Sequence, residues 1–223
     1  MQFTCDAGLA SIVRPGLILF GGIHVAPRSA AMHAAIERAE AALRAARDAG
    51  PVPQAVRTMY HRVGIDPTRT RPSSEALWRR VLRGEPLPAI SNVVDVGNWC
   101  SVESHLPFGL YDLDRVRGSV VLRRGRAGES YAGIRKDLVN VEGRLTLADD
   151  EGPFGNPTSD SARTMVTADA RSVMFVVFAP ASCDARVLQD ALDLTAARMG
   201  EFVGAVETTR FVAGVESYGG SRP

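Results

Sequence analysis

The sequence predicts an α+β fold, and three observations predict it. Short apolar runs bounded by glycine, such as residues 16–23, suit buried strands. Longer stretches carrying apolar residues three and four positions apart suit helices. The two kinds of segment do not alternate strictly along the chain, which argues against a parallel α/β arrangement.

Taken in order, residues 16–23 (GLILFGGI) form the first apolar run and read as a strand. Residues 28–49 read as a helix, with Met32, Ile36, Ala39, Leu43 and Ala46 on one face and Glu37, Arg38, Glu40, Arg44 and Arg47 solvated. Gly50-Pro51-Val52-Pro53 ends it, because proline cannot continue the hydrogen-bond ladder. A second helix spans residues 54–63 and stops at Gly64. A third follows Arg71-Pro72, with Ser73 as N-cap, Glu75 at the positive end of the dipole, and Leu77, Trp78 and Val81 turned inward. Val93-Val94-Asp95-Val96 then leads into a helix over 98–104, which Pro107 breaks. Strands are expected at 119–123, 144–148 and 172–178, with glycine-rich connections at 124–128 and 150–160 between them. Leu188, Leu192, Thr195 and Met199 define an amphipathic helix over 184–200. A last strand at 204–212 precedes a loose Gly/Ser/Pro tail, residues 214–223.

Composition narrows the classes. The 223 residues are 45% apolar and 23% charged, ordinary globular usage, and their length reads as one domain with an arm or elaborations. The 26 basic and 25 acidic residues leave a net charge of +1, so DNA is not expected as a partner held by overall charge. The run at 16–23 is far shorter than the ~20 residues of a membrane helix, and the first eight residues do not resemble a secretory signal. Three scattered cysteines suit a reducing compartment, so a soluble, cytoplasmic protein is expected.

The chemistry-bearing residues make few recognisable patterns. His24, His33, His61, His105 and the cysteines have no metal-ligand spacing, and the glycine loops match no phosphate-binding motif. No metal and no cofactor are therefore expected. Cys100, beside Trp99 in an apolar segment, reads as a buried structural thiol. Asp95 among valines must be buried with hydrogen bonds, and the simplest role is to cap the next helix. Asp112 and Asp114 read as turn carboxylates paired with Arg115 or Arg117. Residues 156–164 hold seven hydrogen-bonding side chains in nine positions, a polar ligand loop or a plain surface loop.

Read together, several segments resemble one family. Arg71-Pro72-Ser73 with Leu77-Trp78-Arg79-Arg80-Val81-Leu82, Asn92-Val93-Val94-Asp95-Val96-Gly97-Asn98, and Pro107-Phe108-Gly109-Leu110-Tyr111-Asp112 follow one another as in the editing domain of the phenylalanyl-tRNA synthetase beta subunit, the B-three/four domain. Gly128-Glu129, Leu147-Ala148-Asp149-Asp150-Glu151-Gly152 and Thr164-x-x-Thr167 extend the resemblance to Phe211. Tyr60–Pro67 and Asp160-Ser161-x-Arg163-Thr164 look like stand-alone members. The resemblance implies a central mixed or antiparallel sheet covered by helices. The implied division is an N-terminal strand and helix over 1–56 packed on an editing-type domain over 57–213.

The resemblance implies recognition of an aminoacylated tRNA 3′ end, with hydrolysis of a mischarged ester in trans and without a metal. Binding of a free amino acid or small metabolite, or a metabolite enzyme on a borrowed fold, are the alternatives. Asp160 would orient or activate water, with Asn98, Thr164 and Arg163 as donors. Arg71, Arg79 and Arg80 would meet phosphates. The expected pocket is walled by Asn98, Pro107, Phe108, Gly109 and residues 156–164, including Asn156 and Ser159. Gly97 and Gly109 stand where the family has threonine and histidine, and Val176 or Val177 where it has glutamate. The tyrosine pocket is thus not kept. The cavity should be wider at Gly97 and Gly109 and suited to a polar or charged amino acid.

Overall fold

Two nine-residue apolar strands, β2 (Val13–Gly21) and β10 (Ser172–Pro180), run antiparallel in unbroken register from Val13 against Pro180 to Gly21 against Ser172. They form the centre of a four-stranded antiparallel sheet in a computed structural model that describes residues 1–135 and 138–212. Its edges are β3 (Phe108–Asp112), paired to β10, and β11 (Val206–Val212), paired to β2. A second sheet has five strands: β1 (Phe3–Cys5), β4 (Val120–Arg124), β7 (Leu145–Asp149), β8 (Gly152–Asn156) and β9 (Ser159–Asp160). Its β1–β4 pair is parallel and the rest antiparallel. A small hairpin joins β5 (Ser130–Ala132) to β6 (Leu138–Asn140).

The pleat decides what each face meets. Gly16, opposite Val177, would place a Cβ 2.7 Å from Leu188 of α5 (Ala185–Val203). Gly97 of α4 (Asn92–Ser104) lies against Phe175 in the same way. Helices therefore cover that face, with α1 (Ala30–Ala46) and α3 (Ser73–Leu82) packed beside α4. On the opposite face Phe211 meets Phe3 of the second sheet, ring centres 5.7 Å apart, and α2 (Val52–Arg62) lies against β10. The result is three layers: helices, four-stranded sheet, five-stranded sheet. Residues 1–56 are woven through them, since β1 belongs to one sheet and β2 is central in the other. Residues 214–223 lie outside the described part of the chain.

α1, α2, α3 and α5 fall where periodicity places them. The helix expected at 98–104 instead begins at Asn92, capped by Ser91 Oγ accepting from Val94 N. Its four valines favour extended backbone, but nine of its thirteen residues are buried, and burial overrides that propensity. Asp95 is consequently inside the first turn rather than ahead of it, and it is not the cap. Its Oδ1 accepts from Ile90 N at 3.0 Å, and its Oδ2 meets Arg28 Nε at 2.9 Å. Asp112 pairs with Arg115 at 3.2 Å, and Cys100 is buried with its thiol pushed up by desolvation.

One surface ion pair carries a pH dependence. Arg123 Nη1 and Nη2 reach both Glu129 oxygens at 2.7 and 2.8 Å, and these bonds hold Glu129 down to about 2. A depressed carboxyl stabilises the fold above its unfolded value and stops doing so as pH falls through its folded value. Glu129→Gln should therefore remove on the order of 1 kcal/mol at neutral pH, screening included. It should also flatten the loss of stability below about pH 4.5. Urea midpoints of both proteins between pH 7 and pH 2 check this; parallel curves would refute it.

Candidate functional site

The polar segment 156–164 is built as a turn and an edge strand. Asn156 Oδ1 accepts from Thr158 N and Ser159 N at 2.8 and 2.9 Å, which closes the turn. Pro157 O accepts from Tyr60 Oη at 2.8 Å and from Ser73 Oγ at 3.3 Å, which pins the turn to α2 and to the start of α3. The segment then runs along the edge of β3 that β10 does not occupy. Leu110 N donates to Asp160 Oδ2 at 3.3 Å, and Asp112 N donates to Thr164 O at 2.9 Å. These two amides are one strand repeat apart, about 7 Å. Asp160 and Thr164 thus flank a short stretch of one strand edge.

The hydroxyls of Thr164 and Thr167 are buried with no hydrogen-bond partner among the described residues. Buried hydroxyls are normally satisfied, so these two stand out as unmet hydrogen-bonding capacity. Tyr131 Oη donates to Ser159 O at 2.5 Å and closes the other side.

The widening expected at Gly97 and Gly109 is absent. A Cβ on Gly109 would lie 2.7 Å from the Tyr111 ring carbon Cζ, and one on Gly155 of β8 2.6 Å from it. The wholly buried Tyr111 phenol thus fills the space both glycines leave. Burial, and then the Asp160 carboxylate, push that phenol well above its usual range, so it stays protonated. At Gly97 the gap is closed by Phe175, 3.1 Å from a Cβ there. The sequence shows the two glycines but not the rings that fold onto them. Gly109→Ala should overpack this contact and cost about 1–3 kcal/mol. Thermal melts should show a smaller cost in a Tyr111→Leu background; equal costs in both backgrounds would overturn the contact.

The other expected residues are gathered around β3 only in part. By register Phe108 and Gly109 point to opposite faces of the sheet, and Gly97, on α4, packs on Phe175, on the face opposite Gly109. Asn98 is half-buried on α4, and Pro107 is buried with its carbonyl accepting from Phe178 N. Arg163 does not turn to Asp160. Its guanidinium makes a fork to both Asp149 oxygens at 3.0 and 2.8 Å and meets Glu151 at 3.3 Å. That pairing ties the segment to β7 and takes up the expected donor. Arg71 and Arg79 converge with Arg57 on the buried Glu75, at 3.7, 2.9 and 2.7 Å. Three guanidiniums against one carboxylate leave excess positive charge there. Arg80 bonds Pro86 O at 2.6 Å and Glu85 at 3.2 Å.

A groove of about 670 Å³ lies elsewhere, between α1, α4 and α5, and holds none of the expected residues. Ala31, Ala35, Trp99, Arg198 and Phe202 line it. Arg198 stacks on Trp99 at 3.5 Å, and Glu103 accepts from both, at 2.6 Å from Arg198 and 2.8 Å from Trp99. Its principal charge is therefore already neutralised. Among the described residues no group of three or more His, Cys, Asp or Glu could hold a metal ion, and no helix is long and apolar enough to cross a membrane.

A family model described as the B3/4 domain matches residues 55–199. The phenylalanine–tRNA ligase beta subunit of Leifsonia xyli is 33% identical over 115 residues, covering 51% of this chain and 14% of that protein. That of Chromobacterium violaceum is 34% identical over 80 residues, covering 35% of this chain and 10% of that protein. The chain thus matches only a small part of these curated relatives. A solved N-terminal fragment of the phenylalanyl-tRNA synthetase beta subunit from Pyrococcus horikoshii shares the fold, with a TM-score of 0.50 at 13% identity. That superposition covers 95% of this chain and 54% of the fragment.

Proposed function

This chain belongs to the B3/4 domain family, and from that premise we propose that it recognises the aminoacylated 3′ end of a tRNA and hydrolyses the ester there. The observation that carries the reading is the edge of β3, where the Asp160 carboxylate and the Thr164 backbone carbonyl take amides one strand repeat apart, and the Thr164 hydroxyl is buried with no partner among the described residues. Ester hydrolysis needs an oriented water and a donor for the developing oxyanion. Asp160 takes a proton from water as its oxygen attacks the ester carbonyl, and Thr164 Oγ1 donates to the carbonyl oxygen. The bond to the ribose oxygen then breaks, and that oxygen recovers the proton. Arg71 and Arg79, half-exposed beside Glu75, meet phosphates near the 3′ end. Asn98, Phe108 and Asn156 wall the approach.

Tyr111 bears on the substrate. Because its phenol occupies the space at Gly109 and Gly155, and Arg163 is engaged by Asp149, the reading favours a small or polar aminoacyl group over an aromatic or acidic one. A deacylation screen over a full set of charged tRNAs tests this, with release expected from tRNAs carrying small or polar amino acids. No release from any, together with no tRNA binding at low salt, would overturn it. Salt-independent binding of a free amino acid instead would favour a small-molecule sensor.

A further inference from the structure

The arginines of this chain fall into two kinds. Most of those described so far are neutralised by carboxylates, as Arg28, Arg123, Arg163 and Arg198 are. At one corner of the five-stranded sheet they are not. There the end of α2 meets the end of β4 and the turn before β7, and three exposed arginines are held by uncharged oxygens. Arg124 donates to Arg62 O at 2.6 Å and to Gly143 O at 3.0 Å. Arg62 donates to Ser11 O at 2.9 Å and Ser11 Oγ at 3.2 Å, and Arg144 to Asn140 O at 3.3 Å. The backbone knits the corner together through Leu145 N to Val63 O and Gly125 N to Arg144 O, at 3.2 and 2.8 Å. Arg126 is exposed in the same β4–β5 connection and donates no side-chain hydrogen bond among the described residues. Of the nearby carboxylates, Glu129 is neutralised by Arg123, while Glu142 accepts only from Gly128 N at 3.1 Å and keeps its charge, so the four arginines outnumber one free carboxylate.

The distinction is physical. A carboxylate partner cancels a guanidinium's charge, whereas a carbonyl orients the fork and leaves the charge intact. Three exposed guanidiniums oriented by uncharged oxygens, with the exposed Arg126 beside them, make a surface suited to a polyanion. The chain as a whole carries a net charge of only +1, so this concentration is local.

We propose that this corner, Arg62, Arg124, Arg126 and Arg144, is the docking surface for the phosphate backbone of the tRNA body. The inference rests on the reading that the substrate is a tRNA ester, and it adds a contact made by residues other than those of the ester site. Phosphate contacts position a nucleic acid without reading its sequence, so the corner contributes affinity common to all tRNAs.

The test is binding of an uncharged tRNA transcript to the full chain across a salt series, with wild type and Arg126→Gln/Arg144→Gln compared. The double variant should bind roughly tenfold or more weakly at 0.1 M salt, and its salt slope should fall by about 2. Arg126→Lys/Arg144→Lys should restore most of both, because a point charge serves a phosphate. Should the double variant melt lower than wild type, Arg126→Gln alone carries the test, with a slope change of about 1. Wild-type affinity and slope in the Gln variants would overturn the corner while leaving the ester site standing. Absence of tRNA binding by wild type at low salt would overturn both. Binding to vesicles of anionic lipid, but not to the transcript, would overturn the corner in favour of a membrane surface.

Discussion

Asp95→Ala is expected to lower the stability of the chain by about 3–5 kcal/mol, because it breaks a buried ion pair and leaves one charge behind. The Asp95 side chain is wholly buried and that of Arg28 nearly so. The carboxylate is a junction. Through Arg28 Nε it holds the residue just before α1, and through Ile90 N it holds the segment leading into α4. Arg28 Nη2 adds a bond to Pro88 O at 2.7 Å, so the same fork ties in the loop between α3 and α4. Removing the carboxylate leaves a buried guanidinium with a carbonyl but no counter-charge, and the Ile90 amide without its acceptor. Urea unfolding measures the loss. Asp95→Asn keeps an acceptor for Ile90 N and should cost less than Asp95→Ala. Arg28→Ala in the Asp95→Ala background should cost far less than it does in wild type. An Asp95→Ala protein with the wild-type urea midpoint would show that the pair contributes nothing.

That junction also shows how far the fold is legible in the sequence. Asp95 among three valines already announces a buried, bonded carboxylate, but its partner Arg28 is brought to it by tertiary packing that no local spacing encodes. α1 and α5 are legible because one face of each is solvated, which leaves a 3.6-residue period. α4 is buried nearly all round and has no such period, so the sequence places its start only at Asn98. β2 and β10 are legible as continuous apolar runs, whereas β1, β5, β6 and β9 are only two or three residues long, too short to show alternation. At the candidate site the polarity of residues 156–164 is visible in advance. The engagement of Arg163 by Asp149 and the filling of Gly109 and Gly155 by Tyr111 are not, because each joins segments distant in the chain.

Asp160→Asn is expected to slow release of the amino acid from a cognate charged tRNA by about 10²–10⁴-fold while leaving the affinity for that tRNA nearly unchanged. The amide oxygen of asparagine still accepts from Leu110 N, so the edge of β3 and the turn at Asn156 keep their shape. What the change removes is the proposed base, since an amide does not take a proton from water at neutral pH. Thr164→Val supplies the complementary measurement. The Thr164 hydroxyl is buried without a partner among the described residues, so a methyl group in its place should leave the fold as stable or make it more so. If the hydroxyl donates to the developing oxyanion, the same change should slow hydrolysis by about 10²–10³-fold. A hydroxyl that served only the fold would instead move the melting temperature and leave turnover alone. Single-turnover deacylation, tRNA affinity and thermal melts on the two variants separate these roles. Wild-type turnover in both would remove Asp160 and Thr164 from the chemistry and leave the edge of β3 as a structural seam.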